Sequence, residues 1–84
     1  MYYIYVLKCK NDDLYIGYTT NLRLRLKSHT IGKVKATKSK LPVSLIYYES
    51  YLDKHDAAAR EKQLKMHKPK EDLKKQIKNS RKKL

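Results

Sequence analysis

Five side chains in this 84-residue chain carry the chemistry needed to handle a phosphodiester: Tyr5, Tyr15, Arg25, His29 and Glu61. Hydrolysis of such a bond needs an activated water, neutralisation of charge building on the phosphoryl oxygens, and help for the departing oxygen. Arg25 is a permanent cation whose planar fork suits phosphate oxygens. Glu61 can hold one hydrated Mg2+, an ion that commonly keeps several waters and accepts one or two carboxylates plus substrate oxygens. Tyr5 and Tyr15 can position or deprotonate water. An ordinary phenol, with a pKa of about 10, is a poor base at neutral pH, so a nearby cation must lower it. His29, ordinarily titrating at about 6.5, can accept the proton itself or hydrogen-bond a tyrosine. Gly17, beside Tyr15, would let backbone approach a substrate closely where a side chain would obstruct it.

The elements that position these groups are readable from pattern. Tyr2 to Leu7 is aromatic, β-branched or aliphatic throughout, Lys8 to Asp13 supplies turn chemistry, and Leu14 to Tyr18 resumes the β-rich pattern, which predicts an antiparallel hairpin. A period of two puts Ile4 and Val6 on one face and Tyr3, Tyr5 and Leu7 on the other, so Tyr5 and Tyr15 can share a face. After the capping residues Thr19-Thr20-Asn21, Leu22, Arg25, Leu26 and His29 fall on one stripe at about 100° per residue, with Leu24 the misfit. Leu22 to Thr30 is therefore expected to be a helix with Arg25 and His29 stacked on its inner side. Ile31 to Lys40 is Gly- and Lys-rich without a period and reads as a mobile basic loop. Val43 to Tyr51 reads as a third strand, with Ser44, Glu49 and Ser50 on a partly exposed face. Asp53 opens a helix from about Lys54 to His67 whose inner stripe is Ala57, Glu61 and Leu64, an acid where an apolar residue is expected. Pro69 punctuates, and Lys70 to Leu84 is expected to form a last amphipathic helix on Leu73 and Ile77, or a basic arm ordered by a ligand. Residues 1–68 are expected to form the domain and 69–84 a basic helix or tail. The fold class is α/β (α+β): a small antiparallel sheet flanked by helices.

The bulk numbers narrow the partners. A formal charge of +13, from 21 Lys and Arg against 8 Asp and Glu, predicts a surface that attracts polyanions, nucleic acid first. The apolar runs fall far short of the roughly 20 residues that span a bilayer, so no membrane role is expected. Nothing resembles a signal peptide, and Cys9 is the only cysteine, so no intrachain disulfide can form. A cytoplasmic monomer is the default expectation. Cys9, His29, His55 and His67 lack the spacing of a structural zinc site.

At these same residues the chain resembles the GIY-YIG nuclease superfamily, and most closely its small stand-alone bacterial members of the UvrC N-terminal-like, UPF0213 type. Tyr3-Ile4-Tyr5 stands in the place of the first signature and Tyr15-Ile16-Gly17 matches the second. Leu22 to His29 is similar to the Arg-bearing helix ending in His, and Ala58 to Lys65 to the helix carrying a metal-binding Glu. The resemblance covers roughly Tyr3 to Lys65. It implies a three-stranded antiparallel sheet with packed helices, and an endonuclease cleaving DNA strands with one divalent ion, Mg2+ or Mn2+. It implies that Tyr5 and Tyr15 orient or activate water, Arg25 binds the scissile phosphate, His29 supports proton transfer and Glu61 ligates the metal. Gly17, Lys35, Lys38, Lys40 and Lys65 are the expected substrate contacts. Tyr3 departs from the family pattern, which has Gly there, and the late Asn of some relatives has only Asn79 as a counterpart.

Each residue alone has an ordinary alternative. Tyrosines are common in strands, Arg25 and Glu61 can simply pair across two helices, and a histidine near a helix C-terminus complements the macrodipole. Joint occurrence on inward faces is what favours a site. High charge alone supports the rival reading, a non-catalytic basic nucleic-acid-binding protein with a nuclease-like fold.

Overall fold

The computed structural model describes residues 1–83, and in it the element order is β1 (Tyr2–Lys8), β2 (Leu14–Thr19), α1 (Leu22–Thr30), α2 (Lys35–Lys38), β3 (Ser44–Tyr51), α3 (Lys54–Leu64), α4 (His67–Gln76) and α5 (Lys78–Lys82). The three strands form one antiparallel sheet in the order β2-β1-β3. β1 is central, which is why its residues Ile4, Tyr5, Val6 and Leu7 are all fully buried and its sequence lacks polar alternation. The hairpin turns through Cys9–Asp13, closed by Cys9 N–H to the Asp13 carbonyl at 2.8 Å. Asp12 takes a positive φ of 65° there, a conformation Asp tolerates better than most residues.

Pleating divides the sheet into two faces. Ile4, Val6 and Ile16 point one way and meet Ala57 and Leu64 of α3, Leu73 of α4 and Ile77 in a single core cluster. Tyr5 points the other way, toward α1. Asn21 caps α1 by accepting from Leu24 N–H at 3.1 Å, and Asp53 caps α3 by accepting from His55 N–H at 2.7 Å. Leu24, the residue off the α1 stripe, is exposed.

Four expectations need correction. Ile31 to Lys40 is not a featureless loop: it contains α2 and buries Val34 and Thr37, because a short polar side chain there finds a buried partner in α1. α3 stops at Leu64 rather than His67, and α4 begins at His67, ahead of Pro69. Continuing α3 through Pro69 would drive the ring into the Lys65 carbonyl, whereas in the first turn of a new helix the missing N–H costs nothing. The final segment is two helices rather than one, with the break at Ile77 (φ −108°, ψ 24°), and Leu84 lies outside the described residues. Glu49 does not sit with the exposed Ser50. It shares the inward pleat of Tyr47 and Tyr51 and its side chain is only 15% exposed.

Candidate active site

The site is built on the β1–β2 pairing of Tyr5 with Gly17. A Cβ at Gly17 would lie 2.4 Å from both Cζ and Oη of Tyr5, so the glycine leaves room for the phenol to lie flat across β2. The space above Gly17, expected to receive a substrate, is therefore taken by the Tyr5 ring. Lying there, Tyr5 Oη reaches 2.7 Å from His29 Nε2, and Arg25 Nε–H donates to the same oxygen at 3.3 Å. Tyr15 joins from β2, its ring 6.3 Å from that of Tyr5 and 5.2 Å from the His29 imidazole. Four of the five expected groups thus converge at hydrogen-bond or ring-contact distance. Tyr5 and His29 are fully buried, while Arg25 and Tyr15 are half-buried. Tyr3, two residues before Tyr5, turns its ring edge-on to Tyr48 of β3.

Burial sets the protonation states. It pushes the Tyr5 phenol above its ordinary pKa, and the opposing hydrogen bond from Arg25 does not reverse this. The phenol therefore stays protonated at neutral pH, contrary to the expectation that a neighbouring cation would lower it. Burial, with the Arg25 charge second, holds His29 below its ordinary value, so the imidazole is neutral rather than a cation serving the α1 dipole.

Behind His29 stands a residue that sequence reasoning missed. Thr37 of α2 is fully buried with Oγ1 2.7 Å from His29 Nδ1, completing a chain Thr37–His29–Tyr5–Arg25. A neutral imidazole donates from one nitrogen and accepts at the other, so two arrangements fit. In one, Tyr5 O–H donates to Nε2 and Nδ1–H donates to Thr37. In the other, Thr37 O–H donates to Nδ1 and Nε2–H donates to Tyr5, which frees the phenolic proton for an acceptor beside Arg25. No local pattern announces Thr37. Its partner lies eight residues away, and the surrounding lysines hide it.

Glu61 approaches from α3. It occupies the stripe of the buried Ala57 and Leu64, with its side chain 28% exposed, and pairs with Lys65 Nζ at 3.3 Å rather than with Arg25. Its charge raises the Tyr5 pKa slightly, the weakest of the influences on that phenol. Among the described residues no three His, Cys, Asp or Glu side chains converge. One half-exposed carboxylate fits an ion that keeps waters and borrows substrate oxygens, as Mg2+ does, rather than a cage made by protein alone. Of the lysines expected at a substrate, Lys35 and Lys38 are exposed on α2, Lys65 is exposed beside Glu61, and Lys40 is half-buried with its carbonyl accepting from Lys10 N–H at 2.9 Å.

A second polar cluster, also missed, lies on the opposite face. Glu49 accepts from Arg60 Nε at 2.9 Å and Nη2 at 3.0 Å, from Tyr47 Oη at 2.6 Å and from Tyr51 Oη at 2.5 Å. Burial alone would raise the Glu49 pKa, but the hydrogen bonds and the Arg60 charge outweigh it and hold the carboxyl below its ordinary range. Burial and the bond to that carboxylate push Tyr51 up to about 12.

The family model of the GIY-YIG catalytic domain matches residues 1–80. A UPF0213 protein of Staphylococcus haemolyticus is 45% identical over 65 residues, covering 76% of this chain and 79% of the relative. A UPF0213 protein of Clostridium perfringens is 44% identical over 66 residues, 77% of this chain and 71% of the relative. The solution structure of a UPF0213 protein from Bacillus halodurans superposes with a TM-score of 0.56 at 33% identity, covering 87% of this chain and 81% of that one. With both signature segments on adjacent strands and a family match over nearly its whole length, the chain belongs to the GIY-YIG nuclease family, among its UPF0213 members.

Proposed function

We propose that this protein is a divalent-metal-dependent endonuclease that hydrolyses phosphodiester bonds of DNA. The single observation carrying the reading is the convergence of Arg25, Tyr5, Tyr15 and His29, with Arg25 and His29 both hydrogen-bonded to the Tyr5 phenol and the Tyr15 ring against Tyr5 and His29. Arg25, held by the Tyr5 phenol and half-exposed, binds the scissile phosphate and neutralises charge as it builds there. Tyr15, the phenol that reaches solvent, orients the attacking water. Tyr5, kept protonated by burial, accepts from Arg25 and positions the guanidinium, with His29 and Thr37 standing behind it. Glu61 would hold one Mg2+ or Mn2+, which supplies charge neutralisation and an acidified water when bound. Lys35, Lys38, Lys40 and Lys65 add electrostatic attraction for the backbone.

Purified protein should nick supercoiled plasmid in Mg2+, stop in EDTA, and lose nicking in Glu61→Ala. Arg25→Ala should lower turnover more than DNA affinity, since one cation among many matters little for bulk attraction. Nicking that survives both EDTA and Glu61→Ala would remove metal and carboxylate from the reaction. Steeply salt-dependent binding without cleavage in any divalent ion would leave a binding protein in place of an enzyme.

A further inference from the structure

The strongest feature the site does not use lies on the opposite side of the sheet. α4 and α5 bound a concave region of about 910 Å3 whose walls include Lys74, Lys75, Lys78 and Arg81. A smaller hollow of about 270 Å3 adjoins it, sharing Lys78 and Arg81 and adding Lys8 and Lys82. The acids in these walls are already engaged: Glu71 pairs with Lys74 at 3.4 Å and Asp12 with Lys8 at 3.4 Å. What is left is a groove of one sign, and clefts so lined concentrate a polyanion.

Its placement follows from the pleat. Lys8 lies on the same face as Ile4 and Val6, and its Nζ donates to the Arg81 carbonyl at 2.7 Å, tying the hairpin base to α5. Tyr5 lies on the other face. At the hairpin tip Lys10 N–H bonds the Lys40 carbonyl just beyond α2, tying the turn to that helix.

We infer that the α4–α5 groove is a second DNA contact, gripping backbone phosphates of the same molecule at a distance from Arg25 and Tyr15. This rests on DNA being the substrate, as proposed above. A lipid surface is the other polyanion, but a helix lying on a bilayer inserts an apolar face, and that of α4 and α5, Leu73 and Ile77, is spent in the core. The exposed large apolar residues, Met1, Leu24, Ile31, Tyr48, Leu52 and Met66, line neither hollow.

Both contacts can be engaged at once only by DNA long enough to reach from one to the other. The molecule measures 30 × 27 × 19 Å. A hairpin stem of about five base pairs, about 17 Å at 3.4 Å per step, is shorter than even the smallest extent. A duplex of about 30 base pairs is not.

The test compares Lys75→Gln/Lys78→Gln with Lys54→Gln/Lys62→Gln, a control removing equal charge from exposed positions of α3 outside the groove. Affinities for the two DNAs are measured by fluorescence anisotropy in EDTA across a salt series, so that binding is read without cleavage. The groove variant should bind the long duplex on the order of tenfold more weakly, with the slope of log affinity against log salt reduced by about 1.8. Its loss on the short stem should be clearly smaller, since the stem can also sit at Arg25 without the groove, and the control should match wild type on both. Equal losses in groove variant and control, or equal losses on short and long DNA, would overturn the inference. So would tighter binding to phosphatidylglycerol vesicles than to duplex, dependent on Lys75 and Lys78. Loss of plasmid nicking with the groove effect intact would instead count against the catalytic reading alone.

Discussion

Gly17→Ala is the substitution that most directly probes how the site is assembled. The added methyl would sit 2.4 Å from Cζ and Oη of Tyr5, about 1 Å inside ordinary van der Waals contact, and the pairing of Gly17 with Tyr5 itself gives the backbone little room to retreat. If the ring moves by that amount, the 2.7 Å bond to His29 stretches beyond hydrogen-bonding range and the 3.3 Å bond from Arg25 fails with it. The cost has two parts: about 1–3 kcal/mol of overpacking, and about 1–3 kcal/mol for a buried polar group left unpaired. Against a total stability of about 5–15 kcal/mol, that is a large fraction. Urea unfolding should show it as a lowered midpoint at unchanged slope. A double-mutant cycle assigns the cause: in a Tyr5→Ala background, where no ring lies across β2, Gly17→Ala should cost well under half as much. A loss below about 0.5 kcal/mol in the wild-type background, or the same loss in both backgrounds, would refute the claim that this glycine serves the tyrosine.

Thr37→Val keeps the shape but removes the only hydroxyl bonded to His29 Nδ1, so thermal unfolding should drop by about 1–3 kcal/mol, roughly 4–8 °C for each kcal/mol in a domain of this size. Nicking should fall through turnover rather than DNA affinity, and Thr37→Ser should restore most of it; an unchanged Thr37→Val would detach Thr37 from the site. Acidification should act in two windows. His29 titrates below its unfolded value, so its contribution is complete above about pH 6.5 and fades as pH falls through the lower folded value. Glu49 behaves likewise from about pH 4.5 downward, because its folded pKa is also depressed. His29→Gln should flatten urea midpoints just below about pH 6.5 while leaving the lower window; a wild-type midpoint that stays level until the Glu49 window opens would contradict a buried neutral imidazole.

The sheet and the meeting of Tyr5, Tyr15, Arg25 and His29 were legible because local rules carry them. A run of β-formers places the tyrosines on one pleat, and an Asn-capped helix with a spacing of four aligns the cation and imidazole behind them. Thr37 and Glu49 were not legible because their surroundings are made by tertiary contact. A threonine among lysines and an acid in an edge strand carry the sequence marks of solvent exposure, and only a partner from another element buries them. Helix ends went astray at Pro69 for a related reason. Between two runs of helix formers a proline marks a stop, yet within a first turn it is a start.

On the proposed role of Glu61 as a metal ligand, the ion pair between β3 and α3 bears on the chemistry by a route that involves no contact with it. Arg60 immediately precedes Glu61, and its two-pronged grip on Glu49 fixes the azimuth of α3 about its own axis. A carboxylate standing about 5–6 Å from that axis sweeps about 2 Å for every 20° of roll. Ligand bonds to an ion tolerate only about 0.2 Å. A rivet on the far side of the sheet thus decides where the neighbouring acid aims, and slack at position 49 would surface as misalignment at position 61.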